Sequence, residues 1–416
     1  MIRPRRRDLL LLAAVPLGGF SARAAQSPAA GQPPLPPALK NEKEAAEAIV
    51  EIPAGAIPAV NSGPFEAMRW QMRYYFDQLG RRCHLQDFAL PTPQFGLASL
   101  LIEESDSDNL KPWLLVTRDN GKTWKLEKTE KNPLGVFVLG ETTAWVVTAG
   151  HLLVSADAGV KWDKRPLPDA DSTQVWFSSP QTGWAFGGGK VFYRTDDAGR
   201  SWKTVPESEK LELKSAETYL RSMALMPSGV GMLAGDSTAA PQSASLPDWM
   251  TPDRAVRRKS VPGSTIVYET HDHGQTWTGH VSSAFGTIRR VRMAPGRAAA
   301  VFQYRDSFLW PAEVYDIDPR NGKSWSIFRR KELVVHDVAL LDDGSVVVAA
   351  IQPAGRLRMS SPVPGKLRIL WSPDHSAWFE MKVDYRAMGN EATLARSSDG
   401  SLWAATDEGA ILQLAH

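Results

Sequence analysis

The chain has 416 residues, 48 Lys and Arg against 46 Asp and Glu, a formal net charge of +2, and 43% hydrophobic residues. That near balance excludes the one-sided basic surface of a nucleic-acid binder. The single cysteine, Cys83, excludes an internal disulfide.

Residues 1–24 read as a signal peptide. Arg5-Arg6-Arg7 precedes an apolar run over 9–20, and Ala22-Arg23-Ala24 offers a small-x-small cleavage site. The run is too short to span a bilayer. No cysteine stands near the cleavage site to carry a lipid, so no stable membrane insertion is expected after cleavage. Arg6-Arg7-Asp8-Leu9-Leu10 resembles the twin-arginine export motif, with Sec export as the alternative. Either route ends in the periplasm or outside the cell. The leader holds five Arg and one Asp, so its loss moves the net charge from +2 to −2. Residues 25–64, with Pro33-Pro34-Leu35-Pro36-Pro37 and a charged Ala/Glu-rich piece over 40–51, form a flexible linker by composition.

Residues 65–416 read as one unit. Met68-Arg69-Trp70-Gln71-Met72 alternates apolar and polar, which predicts a strand through Phe76. The competing reading is an amphipathic helix over 65–80. Next comes an octapeptide that recurs with hydroxyl, Asp, Gly and Trp at fixed offsets. It stands as Thr117-x-Asp119-x-Gly121-x-x-Trp124, Ser155-x-Asp157-x-Gly159-x-x-Trp162, Thr195-x-Asp197-x-Gly199-x-x-Trp202 and Thr270-x-Asp272-x-Gly274-x-x-Trp277. A looser copy, two residues longer, runs from Asp316 to Trp325; another, from Ser372 to Trp378, has Ser376 for Gly and is one residue short. Asp accepts bonds from backbone amides ahead of it, Gly supplies positive φ, and Trp is an apolar plug. Short apolar strands flank each copy (Trp113–Thr117, 188–193 and 265–268 before it), so each box is a hairpin turn.

These residues resemble the BNR or Asp-box repeat, and the resemblance covers roughly residues 84–416. It implies an all-β fold, a β-propeller of four-stranded antiparallel blades with the box between the third and fourth strands. Box tryptophans lie 38, 40, 75, 48 and 53 residues apart, about one blade each, the long interval being an insertion over 236–263 in blade 4. The chain ends in three strands, 392–398, 401–406 and 410–414. The N-terminal strand then supplies the fourth and closes a ring of seven blades.

Chemistry is harder to find. Sialidases resemble the chain in the box, but their Arg-Ile-Pro signature is absent. Arg221, Arg289, Arg290, Arg292, Tyr219 and Tyr304 are available for such a site without a pattern that pairs them. An exo-glycosidase with its site in the central channel stays as the alternative reading. His271 and His273 flank a box Asp, where blade 2 has Ala156 and Ala158, and no further ligands suit a metal. No metal or other cofactor is expected. Cys83 reads as a packing residue.

Loops between second and third strands are short in blades 2 (149–151) and 3 (187–190), and long at 103–112, 236–263, 304–313 and 352–366. On a propeller these share the face opposite the boxes. Trp249, Arg254, Arg257, Arg258, Phe308, Trp310, Arg356 and Arg358 lie in them, the mix of aromatic and Arg residues that a protein-binding rim uses. Blade 3's Thr182-Gly183-Trp184-Ala185-Phe186-Gly187 resembles exported Asp-box propellers that assist membrane-complex assembly, of the photosystem II stability and assembly factor type. The resulting expectation is an exported, monomeric, non-catalytic propeller with a protein partner. An immunity role against a secreted toxin fits the same residues.

Overall fold

The computed structural model describes residues 65, 67–78, 80–104, 107–238, 262–305, 310–354 and 363–415. The leader and linker expected over 1–64 lie outside them. Seven antiparallel sheets stand in a ring. Blade 1 is β2 (Arg82–Thr92), β3 (Phe95–Glu104), β4 (Ser107–Thr117) and β5 (Lys125–Lys128); blade 2 is β6 (Pro133–Leu139), β7 (Thr143–Thr148), β8 (His151–Ser155) and β9 (Asp163–Arg165). Blade 3 follows with β10 (Ser172–Phe177), β11 (Gly183–Gly187), β12 (Tyr193–Thr195) and β13 (Lys203–Thr204), and blade 4 with β14 (Thr218–Leu225), β15 (Gly231–Ser237), β16 (Gly263–Thr270) and β17 (Thr278–Ala284). Blade 5 holds β18 (Gly286–Ala294), β19 (Arg297–Tyr304), β20 (Ala312–Ile317) and β21 (Ser324–Arg329); blade 6 holds β22 (Val334–Leu340), β23 (Val346–Gln352), β24 (Gly365–Ser372) and β25 (Phe379–Glu380).

Blade 7 joins the two ends of the chain. Its strands β28 (Ala392–Arg396), β29 (Leu402–Thr406) and β30 (Ala410–Ala415) take β1 (Arg69–Tyr75) as their outermost member, from Arg69 opposite Ala415 to Tyr75 opposite Ala410. The 68–76 segment is therefore a strand, and the helical reading of it is wrong. Burial decides between them. Trp70 is 1% exposed in the seam between blades 6 and 7, which only one face of an extended chain could reach at this register. A short β26 (Lys382–Val383) runs parallel to the start of β1 as a fifth strand, and β27 (Met388–Gly389) pairs with β24.

Each sheet is covered on both faces, so its middle strands read as unbroken apolar runs. All of β11 and β29 is buried. Seven apolar clusters fill the seven seams between neighbouring blades. In the seam of blades 2 and 3, Trp145 stacks on Phe177 with ring centroids 3.9 Å apart. Burying one such side chain contributes roughly 1.5–3 kcal/mol.

The four regular boxes share one geometry. In each, the glycine amide donates to the opening hydroxyl, as Gly121 N to Thr117 Oγ1 at 2.9 Å and Gly199 N to Thr195 Oγ1 at 2.8 Å. The Asp takes the amide four residues on, as Asp157 Oδ1 from Lys161 N at 2.9 Å and Asp272 Oδ1 from Thr276 N at 2.9 Å. Two left-handed residues in succession close the turn, for example His273 at φ 58° and Gly274 at φ 70°. Trp277 is buried, whereas Trp124, Trp162 and Trp202 are only half-buried. In the lengthened box of blade 5, Trp325 is 48% exposed.

Two local expectations need correction. The 103–112 loop of blade 1 is mostly strand: β3 and β4 stay paired to Glu104 opposite Ser107, because Leu101 and Ile102 remain buried along the hairpin. The strand expected over 188–193 is paired only from Tyr193, apart from one bridge between Gly188 and Tyr219. Its backbone turns aside there, as Gly189 at φ 86° donates to the Thr218 carbonyl.

Candidate functional site

The inner strands β2, β6, β10, β14, β18, β22 and β28 line a central channel. Six of them carry a β-bulge near their start, at Gln86, Leu134, Thr173, Arg221, Arg289 and His336. An extra residue re-aims the chain there. In three of them the residue after the bulge serves as a tie to the next blade. Asp87 accepts Val136 N at 2.9 Å, Ser222 accepts Val291 N at 3.0 Å, and Asp337 accepts Leu394 N at 2.9 Å.

Charge is concentrated at these ties. Asp337, fully buried, receives Arg292 through Nε to Oδ1 at 3.0 Å and Nη2 to Oδ2 at 2.5 Å, while Arg290 Nε lies 3.8 Å away. Burial alone would raise this carboxyl, but Arg292, Arg290 and the Leu394 amide outweigh it and hold the group below the usual range. Asp87 goes the other way. Burial raises it, and the arginines and two backbone amides offset that only in part.

Toward the face opposite the boxes the channel opens into a polar cavity of about 200 Å³, lined among others by Gln86, Tyr219, Arg221, Arg289, His336 and Glu391. Arg289 Nη2 donates to Glu391 Oε1 at 2.6 Å. Arg221 pairs with Asp236 and lies 4.9 Å from the Tyr219 ring, and Arg305 and Thr287 also serve Asp236. Burial, with help from Arg289 and Arg290, lowers His336 to about 4, so the ring is neutral at pH 7 and its enclosed Nε2 has no partner among the described residues. Toward the box face lies a larger cavity of about 430 Å³ with a half-apolar wall that includes Phe137, Trp176, Met223, Met293 and Leu340.

The structure thus brings Arg221, Arg289, Arg290, Arg292 and Tyr219 to one channel. Tyr304 stands elsewhere, on blade 5, where it and Tyr315 donate to buried Glu313, with Arg329 Nη1 3.1 Å from Oε1. Burial, foremost, pushes Tyr304 up to about 12. Trp310 is half-buried beside this cluster, with Arg329 at 5.1 Å and Lys331 at 5.8 Å from its ring. Trp249, Arg254, Arg257, Arg258, Phe308, Arg356 and Arg358 lie outside the described residues. His271 and His273 are both exposed on the blade 4 turn, and among the described residues no three His, Cys, Asp or Glu side chains are grouped to hold a metal. Nor is any described helix long and apolar enough to cross a membrane.

Sequence reading missed Gln86, Asp87, His336, Asp337 and Glu391. A signal was present: two adjacent polar residues interrupt an apolar inner strand in Gln86-Asp87, Thr173-Gln174, Arg221-Ser222, Arg289-Arg290 and His336-Asp337. Adjacent polar residues on a strand buried on both faces mark a bulge.

Seven four-stranded blades, repeated Asp-box turns and a channel tied by buried charge define this chain as a seven-bladed β-propeller, and its box turns are similar to those of the BNR-repeat family. Residues 119–219 match the family model described as photosynthesis system II assembly factor YCF48. Photosystem II assembly protein Ycf48 of Synechococcus sp. (strain JA-3-3Ab) is 22% identical over 256 residues, 54% of this chain and 70% of that protein. Among solved structures, YCF48 bound to D1 peptide superposes with a TM-score of 0.55 at 19% identity, over 88% of this chain and 100% of that one. YCF48 from Cyanidioschyzon merolae gives 0.51 at 16% identity, over 84% and 99%. At these identities the superpositions speak for the fold.

Proposed function

We propose that this chain is an exported, non-catalytic scaffold that holds a protein partner on the loop-rich face opposite its boxes, in the manner of an assembly factor. The observation that carries the reading is the commitment of the channel arginines. Arg221 is engaged by Asp236, Arg289 by Glu391 and Arg292 by Asp337, while Arg290 lies 3.8 Å from Asp337 and donates to Thr393 Oγ1. A glycosidase of the sialidase kind needs free arginines to clamp a substrate carboxylate, and here internal partners occupy them. The similar YCF48 structure with a bound D1 peptide supports a polypeptide as the ligand class. Export by the leader over 1–24, action in the periplasm and a monomeric state belong to the same proposal.

The test of partner binding uses the insertion over 236–263. Replacing residues 239–261 with Asn-Gly leaves the strand ends of β15 and β16 intact, and loop-closure entropy grows only slowly with length. The shortened chain is expected to keep its melting temperature and to capture its periplasmic partner at least tenfold more weakly. Undiminished capture removes the rim from the reading. Arg6→Lys together with Arg7→Lys is expected to stop export; undiminished export assigns the leader to Sec.

A further inference from the structure

The seven outer strands of the ring are not protected alike. Six carry charge: Arg69 and Arg73 in β1, Lys125, Glu127 and Lys128 in β5, all three residues of β9, Lys203 in β13, Arg329 in β21 and Glu380 in β25. Most of these strands are also short. The two longer ones, β1 and β21, each have a register shift, at Met72/Tyr74 and at Val314/Tyr315. Charge, brevity and bulges are the usual means by which a sheet edge refuses another strand. β17 has none of them. Its sequence, Thr278-Gly279-His280-Val281-Ser282-Ser283-Ala284, holds no acidic residue, Lys, Arg or Pro. It pairs with β16 at seven consecutive positions without a register shift. Among the described residues its backbone pairs with β16 alone, and its other edge is the end of the sheet.

The side chains beside that edge point to a ligand class. Val281 is 44% exposed in the middle of the strand. Gly279 stands on the same face two residues away, and a Cβ there would come within 3.3 Å of Leu211 Cδ2, so half-buried Leu211 reaches over the strand. Val281 and Leu211 thus place apolar side chains on one face beside an edge that, among the described residues, pairs with nothing beyond β16.

We infer that the outer edge of β17 is a β-augmentation site, taking an uncharged, proline-free extended segment of a partner polypeptide as a fifth strand of blade 4, with an apolar side chain beside Val281 and Leu211. This rests on the reading of the chain as a scaffold for a protein partner and places one contact. A peptide suits the edge better than a second copy of the chain. Seven residues extend about 24 Å and an added strand is about 5 Å wide, a strip on the order of 100 Å², well short of the roughly 1,200–2,000 Å² from which stable subunit interfaces are built.

The experiment uses the mature chain and a fluorescent eight-residue alternating Thr–Val peptide with a lysine at each end for solubility. Anisotropy is expected to show saturable binding, at least tenfold weaker for Val281→Lys and lost for a peptide with proline at its centre. Hydrogen exchange is expected to show unprotected outward amides in β17 that become protected with peptide. Melting within about 2 °C of wild type establishes that Val281→Lys is folded, and Val281→Thr, which keeps the edge neutral, is expected to bind within threefold. Absence of binding, equal binding by Val281→Lys, or amides already protected without peptide overturns the inference, as does a dimer dissolved by Val281→Lys in sedimentation. If wild type and Val281→Lys capture the periplasmic partner equally, the edge is wrong and the scaffold reading stands. If wild type captures no partner, the scaffold reading itself falls.

Discussion

Gly274, in the box of blade 4, lies against Trp184 of blade 3 so closely that a Cβ there would come within 2.3 Å of the ring's Cζ2. The same arrangement joins blade 1 to blade 7, where a Cβ on Gly121 would meet Trp403 Cη2 at 2.3 Å. Trp184 and Trp403 occupy second strands and are fully buried. The box is therefore a latch between blades as well as a turn within one.

Gly274→Ala is expected to be destabilising on two counts, strain at φ 70° and overlap with Trp184. Together these cost about 2–4 kcal/mol. Gly296→Ala, also at positive φ but with open space around it, carries the strain alone and is expected to cost about 1–2 kcal/mol. Urea unfolding of the two variants checks the difference.

Asp337→Asn is expected to cost about 1–3 kcal/mol, since it leaves half-exposed Arg292 beside a neutral partner at a fully buried position. Adding Arg292→Met removes the unpaired charge and is expected to recover at least about 1 kcal/mol. Chemical denaturation of the single and double variants reads out the coupling.

Glu269 on β16 is 7% exposed, its Oε1 has no partner among the described residues, and burial raises its carboxyl to about 7. A folded-state value above the unfolded value of about 4.3 means that the native chain binds the extra proton, so stability falls as pH rises from about 4.3 to 7 and stays low above that. Glu269→Gln is expected to be more stable than wild type at pH 8, by about 2–4 kcal/mol at most, with the advantage shrinking toward pH 4.5. Melting temperatures of variant and wild type across that range decide it; a difference independent of pH contradicts the assignment.

Trp70→Ala is expected to cost about 3–5 kcal/mol, because the ring fills the seam between blades 6 and 7 beside Leu367, Leu394 and Leu412. Calorimetry is expected to show one transition at lower temperature. Two separate transitions would show that blade 7 unfolds apart from the ring.

Much of this architecture was legible from spacing. Boxes ending at Trp124, Trp162, Trp202 and Trp277 mark blades because turn chemistry is local, needing a hydroxyl, an Asp and a Gly within eight residues. The closing strand was legible too, since Met68, Trp70 and Met72 share one face and blade 7 lacked a member. The channel was not. Arg292 and Asp337 lie 45 residues apart, and Arg289 and Glu391 are 102 apart. Only the ring's closure brings such pairs together, and charged residues at that separation carry no local signature. The hairpin over 103–112 was misread for another reason, because its charged tip masks the apolar pairing beneath it.

The union of β1 with β30 also governs when this molecule can be complete. Arg73 and Gln413, hydrogen-bonded across it at 2.9 Å, are 340 residues apart in the chain. Arg73 leaves the ribosome 340 residues ahead of Gln413, so β1 waits through that synthesis without the sheet it joins. Contacts of such high order form slowly, after the loop they close has been ordered. Native structure therefore arrives late and as a whole. A chain that lacks β1 or β30 presents cellular proteases with an open circle, and making both strands becomes a precondition for persistence.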